Sequence, residues 1–337
     1  MGRQFSLTRR TALAGGLATL AAPPLLAQTP VTMKIGMVTI NDPQHTLSIR
    51  FGEEVEKRSG GRIKSQVFPA GQLGKIPRQI EGLQFGTQEA LCGPPSFFAG
   101  VNPALQVTDA PGLFRDMDHA HAILSRPKFN EMFLDLPKSK GIQGVLLCVY
   151  GPTTVATIKP VKSVADLKGM KVRILASDLE RASVEAMGMS GVPMDFTEVL
   201  QAFQNGTLDA VRTSMVVMGG MKFYNTAKFV VKEHTGMVIT GMWLSQSWLN
   251  GLPADLKKIV VDTGHELARW GTDNAIAFEA KTDKEWRDAG VTIVDVPADQ
   301  KKALFEAVRP VGDKVLGANP KTADAWKALL AAAGEVA

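Results

Sequence analysis

The chain has 337 residues, and its 38 basic and 33 acidic side chains give a formal net charge of +5 at pH 7. The basic excess does not indicate a nucleic-acid partner, because no block of basic residues and no basic patch interleaved with aromatic residues occurs. Hydrophobic residues make up 45% of the chain, and its length is at the upper limit for one core, so we expect a globular protein of two domains.

The N-terminal segment, residues 1–27, has the pattern of an export signal. Arginines, including the pair Arg9 and Arg10, precede an apolar run from Ala12 to Ala22 and a small-residue cleavage site after Ala27. The apolar run is about half the roughly 20 residues that a membrane-spanning helix needs, so no stable membrane anchor is expected. The twin-arginine and general export routes both stay open. Cleavage removes three arginines and leaves a periplasmic chain of charge +2.

Alternating strand and helix patterns follow the signal and predict a parallel sheet covered by helices. A strand pattern at 31–40 and an amphipathic helix over 46–61, which ends in two glycines, begin the series. The other predicted elements of this first part are strands at 62–71, 88–93 and 141–151 and helices over 77–86, 116–126 and 130–141.

A second β-α-β series begins near Gly151. Its predicted elements are a helix over 164–169, a strand at 170–175, a helix over 179–191, a strand at 192–196, a helix over 197–206 and a strand at 208–214. The later segment 254–290 is helical in pattern almost throughout, and one such helix spans roughly 50 Å, which is long enough to brace two domains. Two helices broken near Gly264 or Gly271 are the alternative.

Cys92 and Cys148 are the two cysteines of the chain, and both lie in apolar strand patterns. A free thiol packs in such a place as a small hydrophobic group, which favours two buried free cysteines. An oxidising compartment also permits a disulfide between them, and the sequence gives no Cα separation that would decide. Neither cysteine has the surroundings of a catalytic nucleophile.

Six segments resemble, in order and spacing, the DctP-type receptors of TRAP transporters. They are SGGRIKSQVFPAGQLG, GLQFGTQEA, LFRDMDHAHAIL, VKSVADLKGMKVRI, VPMDFTEVLQAFQNGTLDAV and LPADLKKIV. The resemblance extends from about Met33 to Val311. It implies an α/β fold of the two-lobed periplasmic-binding-protein (Venus flytrap) type, in which each lobe is a mostly parallel sheet flanked by helices. Crossing strands and a long helix that braces both lobes connect them.

On this resemblance, lobe I comprises 28–150 plus about 237–278, and lobe II comprises 151–236 plus about 279–337. The implied function is that of a periplasmic solute receptor, which captures a small organic carboxylate in the cleft between the lobes. The implied partner is a TRAP permease with one small and one large membrane subunit. No cofactor, metal or catalytic residue belongs to this function, and no nucleic acid is expected.

The resemblance assigns the role of carboxylate clamp to Arg173, in the strand that follows DLKG. A guanidinium matches a carboxylate with two parallel donors, whereas an arginine without this context is ordinarily a solvated surface residue. Thr153 stands where many relatives carry a second arginine, and Thr213 stands where many carry asparagine. Arg212 is the candidate for a second charge, although neighbours on a strand face opposite sides. A dicarboxylate or sugar acid is expected if Arg212 faces the cleft, and a monocarboxylate if it does not.

Other candidate ligand contacts lie in the loops after strands, where open α/β sheets bind ligands. They are Asn41, His45, Pro95, Ser96, Phe97 and Tyr150. Candidates for an apolar wall are Met215, Phe229 and Trp243. Ordinary packing or turn formation is the alternative role for each of these residues.

Two other classes of function stay open on the sequence. An exported enzyme acting on a small acid is disfavoured, because the patterns GxSxG, GxGxxG and GxxxxGK[ST] are absent. His119 and His121 resemble a metal pair but stand two apart on a predicted helix, so they face different ways. A ligand sensor for a signalling kinase would have the same lobes and the same binding chemistry.

Overall fold

The computed structural model describes residues 1–2, 29–175 and 177–336, so most of the predicted export signal lies outside the described residues. The strands are β1 (Val31–Gly36), β2 (Ile63–Phe68), β3 (Ala90–Gly93), β4 (Ile142–Thr157), β5 (Lys171–Ile174), β6 (Ser190–Pro193), β7 (Ala210–Ser214), β8 (Phe229–Lys232), β9 (Met237–Ser245) and β10 (Thr292–Asp295).

Helices occupy most of the remaining described chain. They are α1 (Pro43–Arg58), α2 (Ile76–Phe85), α3 (Met117–Leu124), α4 (Pro127–Asp135), α5 (Asp178–Ala186), α6 (Phe196–Gln204), α7 (Met215–Gly220), α8 (Gln246–Gly251), α9 (Ala254–Asp288), α10 (Ala298–Val308), α11 (Pro310–Gly312) and α12 (Ala323–Gly334). Short 3-10 turns include Pro95–Phe98, Pro103–Asp109 and Val164–Leu167, the last of which replaces the helix expected over 164–169. Among the described residues, no helix combines the length and apolarity needed to cross a membrane.

Acidic and hydroxyl side chains fix where several helices begin. Asp42 accepts the backbone N–H of His45 at the start of α1, and Asp116 accepts that of His119 at the start of α3. Such caps satisfy donors that the first helical turn leaves free. The Asp116 cap was expected from the sequence and is confirmed, and it fixes the start of the helix that carries both histidines.

The strands form two parallel sets that antiparallel strands join. In the first lobe β1 pairs in parallel with β2 and β3, and in the second lobe β5 pairs in parallel with β6 and β7. The full strand order is β2-β1-β3-β9-β4-β7-β5-β6, with β8 added to β4 and β10 added to β8. The two β-α-β series predicted from the sequence are therefore two halves of one mixed sheet.

The long strand β4 passes from one lobe to the other. Its first part pairs antiparallel with β9, and its last residues pair with β7 and β8. The register between β4 and β9 shifts between Val149 and Gly151, and Gly151 has φ +152°. The chain therefore turns out of the first lobe at the position where the sequence pattern restarts.

Helix α9 is continuous over 35 residues and packs on both lobes. A Cβ on Gly264 would lie 2.5 Å from the carbonyl oxygen of Val145 in β4, and one on Gly219 in α7 would lie 2.7 Å from Thr282 of α9. The two-helix alternative is therefore wrong. Gly264 and Gly271 lie inside this continuous helix, where the absence of a side chain lets the helix backbone approach the sheet closely.

The C-terminal helix α12 packs against α3, α4 and the 3-10 turn at Pro103–Asp109, which belong to the first lobe. We expected residues 279–337 to join the second lobe. That expectation fits α10 and α11, which pack on α5. It does not fit α12, which contacts α3 and α4 of the first lobe as well as the preceding turn Asp313–Gly317.

The two cysteines are buried and free. Burial raises the pKa of the Cys92 thiol to about 12, and it raises the pKa of Cys148 well above the usual value. Both therefore stay protonated and pack as small apolar groups. A Cβ on Gly271 of α9 would lie 2.8 Å from the Cys148 Sγ, so this thiol contacts the helix backbone directly.

We expect Gly264→Ala to destabilise the protein by about 1–3 kcal/mol in urea unfolding, because overpacking against a backbone oxygen outweighs the helix propensity of Ala. Gly334, the last residue of α12, has no atom within 4 Å of a Cβ placed on it, so Gly334→Ala is the control and should not lower stability. Equal urea midpoints for the two variants would contradict the close approach of α9 to β4.

Candidate functional site

A cavity lies between the two lobes, off the carboxyl ends of their parallel strands. Clefts between domains are common binding places for small organic molecules. The residues that line it are Val38, Thr39, Gln44, Pro94, Ser96, Phe97, Asp109, Tyr150, Thr153, Arg173, Leu175, Glu180, Ser183, Phe196, Arg212, Thr213, Val217, Gly236, Met237 and Val238.

Arg173 reaches this cavity from β5 and is 4% exposed. Its Nε donates to the carbonyl oxygen of Met194 at 3.0 Å, and its guanidinium lies 5.2 Å from the centre of the Phe196 ring. Its Nη2 is buried and has no hydrogen-bond partner among the described residues. Burial lowers the pKa of the guanidinium, which nevertheless stays charged. The cavity therefore contains a fixed cation with a free donor.

Arg212 also borders the cavity, and its Nε and Nη2 atoms donate hydrogen bonds inside the protein. Its Nε donates to Glu233 Oε1 at 2.9 Å, and its Nη2 donates to Thr153 Oγ1 at 3.0 Å and to Thr235 Oγ1 at 3.2 Å. The Arg212 and Glu233 side chains are 6% and 0% exposed. The charge of Arg212 is therefore balanced by a buried carboxylate.

Thr153 and Thr213 both line the cavity on the second-lobe side. Thr153 occupies the position of the missing second arginine, and its hydroxyl instead accepts from Arg212 and from the backbone N–H of Gly236. Arg212 and Thr213 border the cavity together although they are strand neighbours, because the cavity lies at the end of β7. Alternation along a strand does not separate two residues at such an end.

Two carboxyl groups line the cavity in addition to the arginines. Asp109 ends the 3-10 turn Pro103–Asp109 of the first lobe, and Glu180 lies in the first turn of α5 in the second lobe. Burial raises the pKa of Asp109 to about 7, and the charge of Glu180 adds to the rise. Burial also raises the pKa of Glu180, while Arg173 and Arg212 act to lower it.

A hydrogen-bonded group borders the cavity on the first-lobe side. The Tyr150 hydroxyl donates to Asp42, and burial raises the pKa of both groups. Gln44 accepts from the Thr39 hydroxyl at 3.1 Å and donates to Thr240 Oγ1 at 2.6 Å. These partners hold the Tyr150 ring and the Gln44 amide in fixed orientations at the cavity wall.

The turn Pro95–Phe98 after β3 brings Ser96 and Phe97 to the cavity. Pro95 is the first residue of this turn. The Ser96 Oγ is buried and has no hydrogen-bond partner among the described residues. Phe97 and Ser96 also border a second space, of about 1180 Å³, between α2 and β6. Ser96 and Phe97 therefore lie where the position of ligand sites after strands predicts.

Six of the residues expected at the cleft do not line the cavity: Asn41, His45, Pro95, Met215, Phe229 and Trp243. The Asn41 N–H donates to His45 Nδ1 at 3.2 Å, and Asn41 borders a separate depression beside α7. Met215 is 4% exposed in the core, and Phe229 packs in the core of the second lobe. Trp243 is fully buried, and its Nε1 donates to the carbonyl oxygen of Gly93.

Residues that the sequence reading missed include Asp109, Glu180, Gln44 and Phe196. Glu180 and Phe196 follow β5 and β6, so the rule that ligands bind after strands would have found them if it had been extended to the second lobe. No pattern marks Asp109, which lies in an irregular segment far from any strand end.

The two neighbouring histidines of α3 do not share a ligand site. His119 Nδ1 accepts the backbone N–H of Arg115, whereas His121 Nδ1 lies 3.2 Å from Thr272 Oγ1 of α9. In the part of the chain that the structure describes, no group of three or more metal-binding side chains occurs. Each histidine instead has its own hydrogen-bond partner, one in the segment before α3 and one in α9.

Removing the partner of Arg212 should be costly, because it leaves a buried cation unpaired. We expect Glu233→Ala to lower the free energy of unfolding by about 3–5 kcal/mol. The control is Asp262→Ala, which breaks a surface pair with Lys258 whose side chains are 41% and 75% exposed, and should cost at most about 1 kcal/mol. Similar small losses in both variants, measured by urea unfolding, would argue against a buried Arg212–Glu233 pair.

Known proteins of one family resemble this chain over most of its length. The family model of the bacterial extracellular solute-binding proteins, family 7 (DctP), matches residues 36–318. The chain is 30% identical over 322 residues to the C4-dicarboxylate-binding periplasmic protein DctP of Rhodobacter capsulatus, which covers 92% of this chain and 94% of the relative. It is 28% identical over 318 residues to the 2,3-diketo-L-gulonate-binding periplasmic protein YiaO of Escherichia coli K12, covering 93% and 95%.

A solved structure agrees with these relatives. A TRAP periplasmic solute binding protein from Desulfovibrio salexigens, with bound orotic acid, matches with a TM-score of 0.83 at 26% identity, over 90% of this chain and 97% of that one. The two-lobed fold and the matched length agree with the resemblance found in the sequence. The chain belongs to bacterial extracellular solute-binding protein family 7, the DctP family.

Proposed function

We propose that this chain is an exported receptor that captures a small organic carboxylate in the cavity between its lobes and passes it to a membrane permease. The observation that carries the proposal is Arg173, a buried guanidinium at the cavity with a donor that no described protein group accepts. The role is binding without chemical change of the ligand.

A carboxylate is the group that best completes this site. It supplies a negative charge and two acceptor oxygens in one plane, which match a guanidinium in a charge-assisted pair. Burial lowers the pKa of Arg173, and Glu180 and Asp195 act to raise it, so a ligand carboxylate adds a further favourable charge and accepts the free donor. The relatives named above support this assignment, since diketogulonate, C4-dicarboxylates and orotic acid all carry a carboxylate.

The place and the partner of the receptor rest on the chain's N-terminus and on its family. Residues 1–27 have the pattern of a cleavable export signal, and the relatives are periplasmic proteins by name. The permease, with one small and one large membrane subunit, is the partner that the TRAP resemblance implies. We therefore place the mature protein in the periplasm, beside such a permease.

Contacts between the lobes support a receptor that closes over its ligand. Asp195 at the start of α6 accepts the backbone N–H of Ile76 in α2 at 3.1 Å, and Lys75 pairs with Glu198 at 2.7 Å. Deeper in, the Ser177 hydroxyl donates to Gln106 Oε1 at 3.0 Å. These bonds join residues of opposite lobes, so they form only when the lobes meet.

The carboxylate assignment is tested by substitution of Arg173. We expect Arg173→Ala to weaken binding by at least about 30-fold, or about 2 kcal/mol, because a buried carboxylate loses its partner. Arg173→Lys should recover part of the loss, since Lys lacks the paired donors. Calorimetry on any carboxylate that raises the melting temperature in a broad panel is the measurement.

Arg287→Ala serves as the control, because Arg287 is half exposed and pairs with Asp283 on the surface of α9. It should bind as the unsubstituted protein does. Stabilisation by neutral sugars or amines, with none from any carboxylate, would remove the assignment, as would full affinity in Arg173→Ala.

Closure is tested by solution scattering and by reversal of one charge between the lobes. We expect saturating ligand to reduce the radius of gyration, because a ligand that is enclosed binds the closed form better. Lys75→Glu should oppose closure by repelling Glu198 and should weaken binding severalfold. The double variant Lys75→Glu with Glu198→Lys is the matched control and should restore affinity. Identical scattering with and without ligand would sink the closure hypothesis.

A further inference from the structure

The charges at the cavity limit how many ligand carboxylates it can accept. Arg173 has a free donor, whereas the charge of Arg212 is balanced by Glu233. Asp109 and Glu180 add two carboxyl groups to the same lining. The site thus holds one available cation and two acidic groups.

The two acids stand on opposite sides of the cleft. Asp109 belongs to the first lobe and Glu180 to the second, so closure encloses a ligand between them. One oxygen of Glu180 accepts the backbone N–H of Leu175 at 2.5 Å, which fixes this side chain beside the strand of Arg173. Burial raises the pKa of the partly exposed Asp109 carboxyl, and the neighbouring Ser96 hydroxyl acts to lower it.

A second ligand carboxylate would meet these acids without a free cation to balance it. Like charges in an enclosed site repel strongly, and an unpaired ion loses its hydration. A hydroxyl group, in contrast, can donate its hydrogen to a carboxylate oxygen and keeps no net charge. Asp109, whose pKa burial raises to about 7, also acts as a donor when it is protonated. The acidic groups therefore suit the neutral, hydroxyl-bearing part of a ligand.

On the basis of the proposed function, we propose that the ligand is a hydroxylated monocarboxylate whose carboxylate binds Arg173 and whose hydroxyl groups bind Asp109 and Glu180. The same two acids exclude dicarboxylates. Arg212 borders the cavity, but its charge is balanced by Glu233, so it brings no uncompensated charge to a second ligand carboxylate. Asp109 and Glu180 are thus the residues that determine specificity.

The test compares ligands that differ in one carboxylate. D-Gluconate and D-glucarate share one carbon chain and stereochemistry, and D-galactonate and D-galactarate form a second such pair; in each, a terminal hydroxymethyl group becomes a carboxylate. Succinate, L-malate and benzoate complete the panel. At pH 8.5, where Asp109 is ionised, we expect at least one of the hydroxylated monoacids to bind about tenfold or more tightly than its diacid, in calorimetry.

Isosteric substitutions assign the discrimination to the two acids. Asp109→Asn and Glu180→Gln keep an oxygen that accepts from hydroxyl groups but remove the charge. Each variant should bind the diacid more tightly and reduce the preference for the monoacid, by about tenfold in the double variant. Glu279→Gln is the control, because burial also raises the pKa of Glu279 but this residue lies on α9 outside the cavity lining. It should leave the preference unchanged.

The outcomes separate this inference from the proposed function. Tightest binding of succinate, malate or a sugar diacid would overturn the inference and leave the receptor assignment intact, and tightest binding of benzoate would do the same. A preference for monoacids that survives in the double variant would remove the role of Asp109 and Glu180. A panel in which no carboxylate binds would contradict the proposed function itself.

Discussion

The antiparallel pairing of β4 with β9 is the constraint on which the rest of the molecule depends. It runs from Ile142 opposite Ser245 to Pro152 opposite Met237, and β4 then continues into the second lobe. Because this one strand continues through both lobes, the lobes cannot separate without bending it. Helix α9 packs along β4 and then against α7, which supports both lobes from one side. The register of the β4–β9 pairing shifts near Gly151, where β4 leaves the first lobe.

This frame explains why the cavity contains charged groups that would be costly elsewhere. Arg173 and Arg212 lie on neighbouring parallel strands of the second lobe, and both enter the space where the lobes meet. One of them is satisfied inside the protein by Glu233, and the other keeps a donor free. Arg212 is therefore part of a structural ion pair, whereas Arg173 is available to bind a ligand, although both side chains are buried. Burial alone would not have distinguished them.

In the proposed assignment, the two acids on opposite sides of the cavity give the site its selectivity. Neither Asp109 nor Glu180 forms a direct ion pair with Arg173 or Arg212 among the described residues, and the carboxyl of Glu180 accepts a backbone N–H. A monoanion brings one charge to one free cation, and its hydroxyl groups meet acceptors of the protein. The named relatives bind 2,3-diketo-L-gulonate and C4-dicarboxylates, so membership of the family does not by itself fix the ligand.

The sequence by itself determined the export pattern, the two β-α-β series, the Asp116 cap and the place of Arg173 on a strand, since each depends on local periodicity or on a short ordered motif. It also indicated Ser96, Phe97 and Tyr150 through the rule for loops after strands. Only the tertiary structure decided that α9 is one helix, that α12 returns to the first lobe, that Glu233 neutralises Arg212 and that Asp109 faces the cavity. These facts depend on contacts between residues far apart in the chain, such as Gly264 with Val145, and no local pattern records which distant group meets which.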